Sequence, residues 1–277
     1  MSNPGETDLL VQSRSALLDA LTALDRHKDS VIVIGAQAVY LRCGKAPVAL
    51  AESTKDSDLV VDPRQLGNEP LLEEAMSSAG FYMNVNGNPG AWLNRHGIPV
   101  DLMIPELLSG RTSKNARSAR MPPHSKTALR VARGLEACVI DRSTMAIKAL
   151  DAADTREFTV LVAGSAALIV AKIHKLNERI DAPNRLNDKD AHDLYRLLIA
   201  SETTSVAKNF ARLLAEPVSA RATKEALVAL KTLFGDGPEA TGSMMAGRAE
   251  AGIGDPQMVA ASSAALADEL LKEISKL

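Results

Sequence analysis

Asp56 and Asp58 stand one residue apart in STKDSDLVV, where the polar chain turns into a β-branched run. Side chains of an extended chain alternate with period two, so this pair points to one face and could grip a single hard cation. Mg2+ suits it, and Mn2+ could replace it, because both accept oxygen ligands and Mg2+ is usually completed by water and substrate phosphates. Asp101, in PVDLM, is a lone charge between Val100 and Leu102. Such a charge is costly inside an apolar strand unless it is paired, protonated or metal-bound. If its strand lies beside the first, three carboxylates meet. That is the donor set of a two-metal phosphoryl-group transfer, one ion activating a hydroxyl and the other neutralising a leaving diphosphate. An Asp-x-Asp alone is often a solvated strand end, so the chemistry rests on the set.

A second constellation lies downstream. Residues 166–180 read as a helix with Ile169, Ile173, Leu176 and Ile180 on one stripe and Lys172, Lys175 and Arg179 along its edge. On the next helix, 189–200, Asp190 shares an inward stripe with Leu194 and Leu197 and needs a partner, for which Lys172 is the candidate. By physics alone, a structural salt bridge between two helices explains this pair as well as a catalytic role does. His174, His192 and Tyr195 read as helix-surface residues without a role.

The elements that must position these groups follow from the pattern. Residues 7–27 predict an amphipathic opening helix. Val31 to Gly35 is a buried strand ending in a glycine, and AQAVYLR then starts a helix, so Gly35 and Ala36 place backbone N–H groups where an anion could sit. SDLVV, 57–61, predicts a strand stopped by Asp62-Pro63, 71–80 a helix, and 98–104 a third strand. The segment 136–141, EACVID, reads as a strand. From Ser165 the pattern is helical, interrupted by a Gly-rich, aperiodic stretch, 235–257, that predicts a mobile connector. The order implies an α/β or α+β core, residues 1–162, followed by a helical C-terminal lobe, residues 163–277.

Composition bounds the function. An apolar fraction of 46% can bury a core, and two distant cysteines, Cys43 and Cys138, indicate neither a disulfide framework nor a structural zinc site. No run is long and apolar enough for a membrane span, and with a polar N-terminus a soluble, cytoplasmic protein is expected. The net charge of -2 excludes a uniformly basic nucleic-acid coat. One local field survives: between Glu106 and Glu136 there are seven basic residues, Arg111, Lys114, Arg117, Arg120, Lys126, Arg130 and Arg133, and no acidic one. Read as a loop excursion over 109–134, it could hold RNA by its phosphates or simply be solvated.

Taken together, VIGAQAVYLR, STKDSDLVV, PVDLM and the helical pair AKIHKLNER and KDAHDLYRLL resemble the AbiEii/MenT-type toxins of the DNA polymerase β-like nucleotidyltransferase superfamily, over about residues 25–200. The resemblance implies an α+β nucleotidyltransferase-fold core with a small mixed sheet. It implies Asp56, Asp58 and Asp101 as metal ligands and Lys172 and Asp190 as a second catalytic pair contributed by the helical lobe to the cleft. Gly35, Ala36, Thr54, Lys175, Arg179 and Lys189 would then bind the nucleotide. It further implies transfer of an NMP from an NTP to an acceptor hydroxyl at the 3' end of tRNA, translation block as the outcome, and a cognate antitoxin as partner. The chain departs from the family at Gly35-Ala36, where Gly-Gly or Gly-Ser is usual. A protein side chain or small-molecule acceptor, or a silent binding module of the same fold, are the alternatives.

Overall fold

The computed structural model describes residues 4–44, 56–84, 87–111, 113 and 116–277. Thr54 and Lys114 therefore lie outside the described residues. In chain order the elements are α1 (Pro4–Ala23), β1 (Val31–Ile34), α2 (Gly35–Cys43), β2 (Ser57–Val61), α3 (Leu72–Ser78), β3 (Tyr82–Met83), β4 (Ala91–Leu93), β5 (Pro99–Pro105), β6 (Arg130–Ala132), β7 (Arg142–Lys148) and β8 (Glu157–Ala163). The helical region follows with α4 (Ser165–Asn177), α5 (Asp188–Ala200), α6 (Thr203–Ala215), α7 (Ala220–Leu230), α8 (Thr241–Arg248) and α9 (Pro256–Ile274).

The chain divides into two compact units. One comprises Met1–Ala38, Ser53–Leu135 and Arg142–Ala163; the other comprises Val39–Glu52, Glu136–Asp141 and Gly164–Leu277. The first holds a mixed sheet in the order β3-β4-β5-β2-β1-β8-β7, with β6 paired to β5. β1 runs antiparallel to β2 and parallel to β8, and β2 runs parallel to β5. As an inner strand β1 buries all four residues, which explains why it is a continuous β-branched run rather than an alternating one. Helix α1 packs on the face carrying Ser57, whose hydroxyl donates to the Ser13 carbonyl at 2.8 Å.

The second unit is helical, and its helix starts are set by local capping. Asn187 accepts from the Lys189 N–H ahead of α5, Glu202 from Thr204 and Ser205 ahead of α6, and Asp255 from Gln257 and Met258 ahead of α9, where Pro256 has no N–H to satisfy. Asp141 does the same for α4 from a distance in sequence, accepting the Ala167 N–H at 3.0 Å. Burial raises the Asp141 carboxyl above its ordinary value.

Several sequence expectations are corrected. Residues Leu135–Val139 form a 3-10 turn rather than a strand, since a short apolar run does not by itself distinguish a buried strand from a buried turn. The basic segment is not all loop, because Arg130–Ala132 joins the sheet as β6. The Gly-rich 235–257 stretch contains α8, packed against α5 and α9. Its Gly242 looks like a breaker but allows close packing: a Cβ there would stand 2.6 Å from Phe234 Cζ. Strands β7 and β8 form a seven-residue antiparallel ladder that the sequence reading did not include. Among the described residues no helix is long and apolar enough to cross a membrane.

Candidate active site

The sheet unit brings together three of the expected residues. β2 and β5 pair with Asp58 directly opposite Asp101, so the two carboxylates leave the same face of neighbouring strands. That face is the one opposite Ser57 and α1. On the other side of β2, Asp58 is opposite Ile34, the last residue of β1. Gly35 follows with φ +66°, and a Cβ there would collide with Asp58 Oδ2 and stand 2.9 Å from Asp58 Cγ. Gly35 is therefore required twice, by its backbone conformation and by the carboxylate behind it. The Asp58 carboxylate consequently sits against the first residue of α2, where the helix dipole and free N–H groups favour negative charge. Gly35 and Ala36 are both partly exposed, and Asp56 is exposed one residue before β2 begins.

Behind this turn lies a buried polar network that the sequence reading missed. Arg14 on α1 is 2% exposed and donates from Nε to Gln37 Oε1 at 2.9 Å and from Nη1 to the Lys148 carbonyl at 2.8 Å. Gln37 on α2 donates to Ser13 Oγ at 2.8 Å, and the Ser13 carbonyl receives Ser57 at the head of β2. The network fixes the start of α2 against the start of β2, and so Gly35 against Asp58. Long side chains reaching across elements leave no local sequence signal.

Asp101 has a partner. Arg130, on β6 beside Met103, turns back along the same face to form an ion pair with Asp101 Oδ2 and approaches Met103 Sδ at 3.1 Å. Three other members of the basic segment are engaged: Arg111 and Arg133 both pair with Glu106, and Arg117 Nη1 donates to Asn88 Oδ1 at 2.6 Å. Arg120 and Lys126 are exposed. Thus three of the seven cations read as an RNA-binding field are paired with two carboxylates of their own unit.

Mg2+ is tested against these groups by their donor chemistry. Among the described residues no three His, Cys, Asp or Glu side chains are gathered to hold a metal ion. Asp101 faces a guanidinium, and Asp58 lies opposite it with the exposed Asp56 two residues earlier in the chain. Carboxylate oxygens are the donor type that suits a dication whose remaining ligands are water and phosphate.

In the helical unit Lys172 and Asp190 are in contact. Lys172 Nζ donates to Asp190 Oδ1 at 2.8 Å and to Asp193 Oδ2 at 2.6 Å, while Lys175 Nζ reaches Asp190 Oδ1 at 2.8 Å and Arg179 lies 3.7 Å from Oδ2. Burial opposes both charges, but the opposite charges outweigh it: the Lys172 ammonium is held well above its usual range, and the Asp190 carboxyl well below. Lys172 is 6% exposed and bonds inward to Asp190 and Asp193, whereas Lys175 and Arg179 are partly exposed, as is Lys189. The histidines read as surface residues are buried instead. His174 Nε2 bonds the Ala222 carbonyl at 2.8 Å, and His192 Nε2 bonds Glu250 Oε1 at 2.7 Å. Tyr195 is buried beside His192, their ring centroids 6.0 Å apart. Polar heads with internal partners let such residues lie on the inward side of a helix.

The sequence matches no family model and no curated protein. Among solved structures, the chain is similar to a crystal structure from H. pylori described provisionally as a nucleotidyltransferase. The two share 12% identity over 99% of this chain and 98% of that one, with a TM-score of 0.30.

Proposed function

We propose that the chain is a metal-dependent nucleotidyltransferase of the AbiEii/MenT toxin type, which moves an NMP from an NTP to an acceptor hydroxyl and releases diphosphate. The observation that carries this reading is the cluster at one end of β1 and β2: a positive-φ glycine turn opening α2, backed by Asp58, with Asp101 as its cross-strand neighbour. Backbone N–H groups beside a carboxylate pair suit a metal-chelated triphosphate better than either a neutral ligand or a bare anion.

Asp56 and Asp58 would hold Mg2+ or Mn2+, which supplies charge neutralisation for the triphosphate and the leaving diphosphate. The Gly35 and Ala36 amides orient phosphate oxygens, and the Arg14–Gln37–Ser13–Ser57 network keeps that turn in place. The acceptor oxygen forms a bond to the α-phosphorus as the bridging bond to diphosphate breaks, and the hydroxyl proton passes to a base or to water. For the phosphate-binding role read in Lys172, Lys175, Arg179 and Lys189, the cluster has positive charge to spare: three cations stand against two carboxylates even without Lys189. Lys175 and Arg179 are the members with exposure to meet a phosphate; Lys172 fixes Asp190 and Asp193.

The acceptor on this reading is the 3' end of tRNA, which makes the protein the toxin of a toxin-antitoxin pair with a cognate antitoxin. Transfer to a small molecule or protein hydroxyl is the second reading. It is favoured by one observation, the internal pairing of Arg111 and Arg133 with Glu106 and of Arg130 with Asp101. Incubation with total tRNA, Mg2+ and each α-32P-labelled NTP separates them. Labelled tRNA with the wild type, lost in Asp58→Ala, supports the toxin reading; labelling of protein or small molecules alone supports the second.

A further inference from the structure

Arg196 is a buried cation of the helical unit that no carboxylate among the described residues pairs with. It lies on α5 one turn after Asp193, so the two share a side of that helix. The residue is 5% exposed, and its Nε–H has no acceptor. The carboxylates of α5 that face inward are already engaged: Asp190 is held by Lys172, Lys175 and Arg179, and Asp193 Oδ2 by Lys172. Cys43, at the end of α2 and in the same compact unit, lies within the field of both residues. Burial pushes its thiol up to about 11, the Arg196 charge acts against that rise, and Asp193 adds to it. A guanidinium does not deprotonate in proteins, so Arg196 cannot shed an uncompensated charge as a buried lysine can.

We propose that Arg196 anchors an oxyanion site in the helical unit, and that its ligand is a terminal phosphate group, as in inorganic phosphate, a phosphate monoester or diphosphate. The Nε and Nη donors of a guanidinium form a planar fork that matches two oxygens of a phosphate. Charge narrows the class. Along α4, α5 and the turn after α4, Lys172, Lys175, Arg179 and Arg196 stand against Asp190 and Asp193, a surplus of positive charge that favours a dianion over a monoanion. Access narrows it again. With Arg196 only 5% exposed, a phosphodiester would have to bury the groups on two of its oxygens to reach Nε, whereas a terminal phosphate enters end-on. Neither a metal ion nor Asp58 takes part, so the site stands or falls independently of the nucleotidyltransferase reading.

The test is a titration of the full chain with inorganic phosphate, diphosphate and dimethyl phosphate, at fixed ionic strength and without metal or NTP, followed by thermal melting and by the 1H–15N resonance of the Arg196 Nε. Wild type is expected to melt higher in phosphate and diphosphate than in chloride and to move the Nε resonance, while dimethyl phosphate does neither. Arg196→Met is expected to bind both anions at least about tenfold more weakly, the loss of a charge-assisted hydrogen bond. In chloride it should melt no lower than wild type, because an apolar side chain replaces an uncompensated buried charge. A wild-type melt and Nε resonance unmoved by either anion, or undiminished binding in Arg196→Met, would overturn the proposal. So would a lower melt or failure to fold of Arg196→Met in chloride, which would mean that the fold already satisfies the guanidinium. Binding kept in Arg196→Met but lost in Lys175→Gln, Arg179→Gln would put the anion on the exposed cations instead, and dimethyl phosphate binding as well as phosphate would overturn the terminal-phosphate assignment.

Discussion

Gly35 concentrates several demands in one position. Its φ of +66° and the Asp58 carboxylate behind it leave no room for a side chain. Left-handed backbone costs an L-residue roughly 1–2 kcal/mol, so Gly35→Ala is expected to lose at least about that much stability in urea unfolding, before the collision is counted. The collision must also move Asp58, so the same variant should bind Mn2+ more weakly than Ala36→Gly, which lies next to it without these constraints. Equal stability and equal Mn2+ binding in the two variants would show that the Gly35–Asp58 approach is incidental. The type and spacing of Gly35, Asp56 and Asp58 were legible because strand periodicity is local. Arg130 on Asp101 was not, since 29 residues separate them and only the β5–β6 pairing brings them together.

At the scale of elements, α4 and α5 are joined through Lys172. Removing one partner of a buried ion pair typically costs about 3–5 kcal/mol because the remaining charge stays desolvated. Lys172→Met therefore should destabilise the helical unit by about that amount, since it removes the ammonium shared by buried Asp190 and Asp193 and leaves Lys175 and Arg179 beside Asp190. Urea unfolding followed by far-UV circular dichroism reads it, and a loss below about 1 kcal/mol would mean that water or a shifted Lys175 replaces the ammonium. The stripe of Ile169, Ile173 and Leu176 facing Asp190, Leu194 and Leu197 made this helix pair readable. α8 was not readable, because Gly242 and Gly247 mimic loop composition while serving close contacts with Phe234 and Pro256. β8 carried a usable signal, the alternation of Phe158, Val160 and Val162 within a β-branched run.

For the whole molecule, the two units should respond differently to acid. In the sheet unit, His124 Nδ1 accepts the Leu72 N–H at 3.2 Å and its Nε2 meets the Gly67 carbonyl at 2.9 Å, an arrangement that requires neutral imidazole. Burial holds its pKa below the ordinary 6.5, helped by the neighbouring His27. The unfolded chain thus takes up a proton before the folded one does. Stability from this group is complete above about pH 6.5 and is lost as pH falls from there to the depressed folded value. Asp190, held low by Lys172 and Lys175 against the opposing effect of burial, contributes stability that is present above the ordinary carboxylate range and lost below it. Thermal melts between pH 7.5 and 3 should therefore show the sheet unit weakening first, from about pH 6.5, and the helical unit only below about pH 4. His124→Gln should flatten the first part; an unchanged pH profile in that variant would reassign it to other groups.

The proposed reaction is transfer of the α-phosphoryl group of an NTP by the Gly35–Asp58 site, whatever the acceptor. Its most direct measurement supplies the protein with Mg2+, a mixed pool of cell RNA, protein and metabolites, and the same NTP labelled in parallel with 32P at the α or the γ position. Acceptor-bound label is expected from the α position only, with γ label recovered as diphosphate, and none with Asp58→Asn. Label transferred from the γ position, or no label in any acceptor fraction with any of the four NTPs, would contradict it.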